Sequence, residues 1–243
     1  MDSFTVLLVA GGRGARMKDV TDECQKCMIP VDGKPIMAWS MDAIRDALSP
    51  EKMIIATGYH ADQVYDYFGD KYQDIAVLYV HHDEMIGSRK RVLLADHLIS
   101  GPFLFHSGDV VVPGAALRAL HDTFVRGAEC VLGTILAAEY HDPALSHGVI
   151  CMENERIAEY IYPAPTHPGY GMFRSTGIAF FQRRYLDLLK QCEQESEWSG
   201  GIKIGVRCGE KFNVAVLKGL WYHFAYAEDI VPTMKFGHTQ RMK

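Results

Sequence analysis

Long hydrophobic runs are missing from this sequence. No stretch approaches the roughly eighteen consecutive apolar residues that mark a membrane-spanning helix, so no transmembrane segment and no membrane partner are expected. The chain starts with an acidic residue, Asp2, and enters an apolar run almost at once. It lacks the basic leading region of a secretory signal, and a cytoplasmic location is expected. An excess of basic charge is also missing. The formal net charge is -5, which gives no field of the kind that holds a nucleic acid, so any nucleotide chemistry is expected on a small nucleotide. Cys24 and Cys27 form a lone C-x-x-C among six cysteines. The second pair that a four-ligand zinc site needs is lacking, and the cysteines are read as reduced thiols. There is no internal repeat, low-complexity tract or linker.

What is present is the composition of an ordinary globular protein. The 243 residues are 48% apolar and 23% charged, enough for one or two domains with a sizeable core. Residues 4–10 are an apolar run ending in Gly-Gly, the pattern of a strand buried on both faces. Met37, Met41, Ile44 and Leu48 recur at helical spacing after a Gly-Lys-Pro turn, and a second apolar run covers 52–57. Together they sketch a β-α-β unit. Helices are predicted at 61–68, 89–98 and 115–126, and strands at 75–81, 102–105 and 129–137. This alternation predicts an open α/β sheet that binds ligands at the carboxyl ends of its strands. After residue 140 the pattern changes. Strands are predicted at 148–152, 157–162, 175–181, 213–217 and 219–224, helices at 184–191 and 227–234, and a Pro/Gly-rich loop at 163–171. These elements are expected to extend the same sheet and close over the ligand.

The first strand empties into Gly11-Gly12-x-Gly14-x-Arg16. Glycine tolerates positive φ and a close backbone approach, and successive N–H groups form an anion cradle. The spacing is not that of the G-x-x-x-x-G-K-[ST] phosphate loop. It is not the dinucleotide fingerprint either, because Met17 stands where the third glycine belongs. Alone, such a loop is weak evidence, because it also marks tight turns. Arg16 and Lys26 add the charge-assisted bonds that a phosphate takes up, Arg as a fork and Lys as a point charge.

Ala10-Gly-Gly-x-Gly-x-Arg-Met17, followed by Lys26-x-x-Ile-Pro-Val-x-Gly-Lys-Pro35, resembles the sugar-phosphate nucleotidyltransferases. The resemblance continues through 57–69 and Phe103–Asp109, and more loosely through Ser175–Phe181 and Trp221–Asp229. It implies a Rossmann-like three-layer α/β/α fold with a mixed, mostly parallel central sheet. It also implies one domain over 1–243, with an NTP-binding part at 1–140 and an acceptor-binding part at 141–243. The implied reaction moves a nucleotide from an NTP to a sugar 1-phosphate and releases pyrophosphate, with no protein nucleophile. Ala10, Gly11, Gly12, Gly14 and Gly108 would hold the NTP, and His82 and Gly87 would lie on its base side. Arg16 would stabilise charge on the departing pyrophosphate, and Lys26 would act at the α-phosphate. Asp109 would bind Mg2+, with His223 at the position of a second metal ligand. Gly148, Tyr162, Thr176 and Arg89 would face the phosphorylated acceptor. Self-association is expected by analogy with such folds.

Several positions depart from that pattern. Gln25 replaces a proline before Lys26, and Ala15 replaces a threonine. Arg89-Lys90-Arg91 is either a solvated charged face or a holder of an anionic substrate. Tyr162-Pro163-Ala164 replaces a sugar-binding Glu-Lys-Pro. That keeps open a cytidylyltransferase acting on a small non-sugar phosphate or phosphonate. His223 replaces an aspartate, and imidazole is a poor magnesium ligand. Either a carboxylate such as Glu228 substitutes, or Asp109 and phosphates hold the metal, or the chain is a catalytically silent nucleotide-binding regulator.

Overall fold

The computed structural model describes residues 3–139, 148–154, 156–161 and 172–230. Tyr162, the loop at 163–171 and everything beyond 230 lie outside these residues. β1 (Thr5–Ala10) leads into two 3-10 turns, Ala15–Thr21 and Lys26–Met28, and a small hairpin of β2 (Pro30–Val31) and β3 (Lys34–Pro35). α1 (Ile36–Leu48), β4 (Lys52–Thr57), α2 (Ala61–Phe68), β5 (Lys71–Tyr72) and β6 (Ile75–His81) follow. Next come α3 (Gly87–Leu94), β7 (Phe103–Ser107), β8 (Val110–Val111), α4 (Gly114–Gly127) and β9 (Gly133–Glu139). The second half supplies β10 (Val149–Glu153), β11 (Arg156–Ile161), β12 (Met172–Phe181), α5 (Tyr185–Gln191), α6 (Gly200–Arg207), β13 (Phe212–Val216) and β14 (Tyr222–His223).

Ten strands form one mixed sheet in the order β10-β11-β13-β9-β12-β7-β1-β4-β6-β5. The run β7-β1-β4-β6 is parallel, as the crossover helices require. β12 enters antiparallel between β7 and β9, so strands of the second half are built into the sheet of the first. Successive side chains of β1 point to opposite faces. Val6, Leu8 and Ala10 join a core with α1, α2 and α4, while Leu7 joins a second core with α3, α5 and α6. Both faces are therefore covered, and the strand reads as an unbroken apolar run. Burying each of Leu7 and Leu8 contributes about 1.5–3 kcal/mol.

Three local expectations need correction. The helix predicted at 89–98 starts at Gly87 and ends at Leu94, with a separate 3-10 turn at Asp96–Leu98. The strand predicted at 219–224 shrinks to β14, which pairs with β8 outside the main sheet. The described start of the helix predicted at 227–234 is a 3-10 turn, Ala227–Asp229. α6 was not predicted at all. Its glycines lower helix propensity, yet a Cβ on Gly201 would stand 2.7 Å from the Tyr185 hydroxyl and one on Gly205 would stand 2.9 Å from the Phe212 ring. Tight packing on those two aromatics selects glycine there. Among the described residues, no helix is long and apolar enough to cross a membrane.

Candidate active site

The site is built where β1 and β7 end side by side. Val9 is in register with Ser107, and the Gly108 N–H donates to the Val9 carbonyl at 3.1 Å. The chain can run this close because Gly108 has no side chain: a Cβ there would meet Cys27 Sγ at 2.9 Å. Asp109 is thereby delivered next to the glycine loop. Gly14 turns that loop with φ 68, in the left-handed region that suits glycine. Its carbonyl accepts from the Met17 N–H at 2.7 Å.

Gln25, where the resemblance expects proline, is buried and ties two segments together. Its Nε2 donates to the Ala10 carbonyl at 2.7 Å, and its Oε1 accepts from the Cys27 N–H. The bridge fixes the turn that carries Lys26. Lys26 Nζ then reaches Asp109 Oδ2 at 2.5 Å, with the two side chains 11% and 19% exposed. His223 Nε2 lies 3.5 Å from the same oxygen. Burial pushes the Asp109 carboxyl up, but Lys26 and His223 outweigh it and hold the group well below the usual carboxylate range. The same surroundings push the Cys27 thiol up to about 12, chiefly by burial and then by Asp109. All six cysteines are free thiols.

Two cavities meet at this point. One, of about 310 Å³, is lined by Ala10, Gly12, Gly14, Arg16, Gln25 and Lys26 among others. The second, of about 260 Å³, is lined by Gly148, Tyr160, Thr176, Glu197, Ser199 and His223 among others. Val9, Arg16, Ser107 and Asp109 belong to both walls. Arg16 is exposed and lies 5.4 Å from the Tyr226 ring centre. Gly177 makes the second cavity possible. It takes φ 82 inside a bulge of β12, and a Cβ there would meet Ser107 Oγ at 2.8 Å.

The remaining predicted residues fall in different places. Gly11 and Gly108 shape the loop and strand ends without lining either cavity. Gly148 is packed against the Tyr160 hydroxyl, and the Thr176 hydroxyl donates to the Leu136 carbonyl at 2.8 Å. His82 and Gly87 line neither cavity. The His82 Nδ1 accepts from the Glu84 N–H at 3.2 Å. Arg89 is buried and lines neither cavity; its Nε donates to the Leu189 carbonyl at 3.0 Å and its Nη2 to that of Lys190. Arg91 is buried as well. Its guanidinium lies under Gly11 and Gly58 and donates to the carbonyls of Thr57, His82 and Glu84. Lys90 alone of the three is exposed. Tyr162 lies outside the described residues. Sequence reasoning missed Ser88, Glu197 and Ser199 in the second cavity; no spacing signal marks them, since long-range contacts bring them there.

Among the described residues, no group of three or more His, Cys, Asp or Glu side chains is gathered as a metal cage. The shared wall offers one carboxylate, that of Asp109. That fits magnesium, which is commonly held by one or two carboxylates together with substrate phosphates and water.

A strand-end glycine loop, a lysine and a carboxylate on one wall define a nucleotide-handling α/β enzyme. Residues 5–222 match the model of the nucleotidyl transferase family, and the chain belongs to that family. UTP–glucose-1-phosphate uridylyltransferase AglF of Haloferax volcanii is 30% identical over 231 residues, covering 92% of each chain. The bifunctional protein GlmU of Methanocaldococcus jannaschii is 22% identical over 95% of this chain, which spans 53% of GlmU. A solved UDP-glucose pyrophosphorylase complexed with UDP-glucose superposes with a TM-score of 0.81, at 18% identity, over 94% of this chain and 96% of the other. At that identity the likeness bears on the fold.

Proposed function

We propose that the protein transfers UMP from UTP to glucose 1-phosphate, giving UDP-glucose and pyrophosphate. The observation that carries the reading is the wall of Val9, Arg16, Ser107 and Asp109 shared by two cavities, one beside the glycine loop and one beside β12. Such a wall lets two phosphorylated substrates meet at one point. The likeness to AglF over nearly the whole of both chains supports the choice of UTP and glucose 1-phosphate.

The NTP lies along the loop from Ala10 to Arg16, with its phosphates over the exposed N–H groups. A phosphate oxygen of the acceptor attacks the α-phosphorus. One P–O bond forms, the bond from the α-phosphorus to the bridging oxygen breaks, and pyrophosphate leaves with the electron pair. Lys26 neutralises charge at the α-phosphate, and Arg16 does so on the leaving group. Asp109 would hold a magnesium ion, which supplies charge neutralisation to the phosphates. Lys26 must exchange its contact with Asp109 for one with phosphate. His223, a nitrogen donor, serves this site by sharing the Asp109 charge.

The test is pyrophosphate release with each of four NTPs and a panel of sugar 1-phosphates in the presence of magnesium. UTP with glucose 1-phosphate is expected to turn over fastest. No release with any pair, while an NTP still raises the melting temperature, would leave a binding protein and end the enzymatic reading.

A further inference from the structure

We infer that Glu197 is a specificity-determining residue that accepts a hydrogen bond from a hydroxyl of the acceptor, and that Ser88 is the residue that positions it. The inference rests on the reading of the second cavity as the acceptor site. Glu197 lies in the segment between α5 and α6, far in sequence from the loop and strand ends already described. Together with Asp109 it supplies the carboxylates of the second cavity among the described residues.

The segment is clamped to the start of α3. The Ser88 hydroxyl donates to Glu197 Oε2 at 2.6 Å and accepts from the Trp198 N–H at 2.9 Å. The Arg89 N–H donates to the Ser196 carbonyl at 3.0 Å. Gly87 takes φ 74, and a Cβ there would stand 2.6 Å from that same carbonyl. Trp198 is buried beneath, stacked on Phe105 with ring centres 4.3 Å apart. The Glu197 carboxylate is thus held on one oxygen by a hydroxyl whose own geometry is fixed.

Its other oxygen, Oε1, has no hydrogen-bond partner among the described residues, and no Lys, Arg or His there pairs with the group. A carboxylate offers about four acceptor positions, so this one has capacity to spare beside a cavity wall. The same cavity wall also carries Ser107, Tyr160, Ser175 and Ser199, beside Arg16, Asp109 and His223. The mixture of one oriented carboxylate and several hydroxyls suits a polyhydroxylated phosphate ester. A quaternary ammonium acceptor would call for an open aromatic face, and the aromatics of this wall, Phe105, Tyr160 and Trp198, are all buried. A site built to hydrogen-bond a hydroxyl rejects an analogue that lacks it.

The test compares wild type, Glu197→Gln, Glu197→Ala and Ser88→Ala with UTP and glucose 1-phosphate and with its monodeoxy analogues. Both Glu197 variants are expected to lose roughly 10–100-fold in kcat/KM for the acceptor, while UTP still raises their melting temperature as in wild type. Ser88→Ala is expected to raise the acceptor KM more than it lowers kcat. In wild type one deoxy analogue is expected to lose at least roughly tenfold, and in Glu197→Gln that penalty vanishes. An active wild type with Glu197 variants within twofold of it overturns the inference alone. A wild type that prefers phosphocholine overturns the functional reading and the inference together. A wild type inactive with every sugar 1-phosphate overturns the functional reading and this inference with it. If the Glu197 variants fail to fold, the wild-type deoxy series decides, since equal rates with every analogue rule out a hydroxyl-reading carboxylate.

Discussion

Lys26 and Asp109 stand 83 positions apart in the chain and meet at 2.5 Å. Neither could be placed by its own neighbourhood. Lys26 is held by the Gln25 bridge to the end of β1, and Asp109 by the parallel pairing of β1 with β7.

Replacing Asp109→Asn removes a buried counter-charge and the carboxylate of the shared wall. Pyrophosphate release is expected to fall about a hundredfold or more, a loss typical of removing one preorganised charge from a transfer site. Leaving Lys26 without its partner is expected to cost about 1–3 kcal/mol in urea unfolding. Full turnover in the variant would remove Asp109 from the chemistry.

Gln25→Ala cuts both ends of one bridge, leaving the Ala10 carbonyl and the Cys27 N–H without their side-chain partner. A loss of about 1–3 kcal/mol is expected, with a higher KM for NTP and little change in the acceptor KM. Gln25→Glu separates the two ends, since a carboxylate still accepts from Cys27 but cannot donate to Ala10. An unchanged KM for NTP in both variants would sever the bridge from nucleotide binding.

Gly11→Ala places a Cβ 2.3 Å from the Arg91 guanidinium carbon. Arg91 must then move, releasing its hold on the carbonyls of Thr57, His82 and Glu84. The melting temperature is expected to drop, and NTP affinity to weaken roughly tenfold or more, because a misplaced positioning group is costly. NTP-induced thermal shifts report the outcome. Wild-type shifts would mean that the loop tolerates the extra methyl.

Acid stability should report on His106. Burial pushes its pKa down from 6.5 to about 4, against the opposing pull of the Ser107 carbonyl and Asp109. The unfolded chain therefore takes up a proton before the folded one, and stability falls as pH drops from about 6.5 towards 4. The loss should reach roughly 2 kcal/mol by pH 5. Asp109 behaves differently: its contribution is full above the ordinary carboxylate pKa and is lost only below it. Urea midpoints at pH 7.5 and 5 should differ less in His106→Leu than in wild type. Parallel slopes would assign the acid loss elsewhere.

The parts of the fold that repeat locally were legible in the sequence. β1, α1 and β4 show their periods within a few residues, and the glycine loop and Asp109 both announce themselves as strand ends. The Arg89-Lys90-Arg91 run was not legible. Its two arginines are buried because their donors find backbone carbonyls at Leu189, Lys190, Thr57, His82 and Glu84, which a charge count cannot see. α6 was hidden by glycines chosen for Tyr185 and Phe212. Glu197 was hidden because a single carboxylate in a loop carries no period, and its partner Ser88 lies 109 positions away.

The place of β12 also bears on how the chain comes off the ribosome. β7 carries Phe103, Leu104 and Phe105, and one of its edges is paired by β12. Until residues 172–181 have been made, that edge stays open beside a parallel sheet that is otherwise ready to close. Unpaired apolar edges recruit other chains, and pairing across such a sequence distance is slow. A chain that ends before residue 172 is therefore expected to leave this apolar edge open to association.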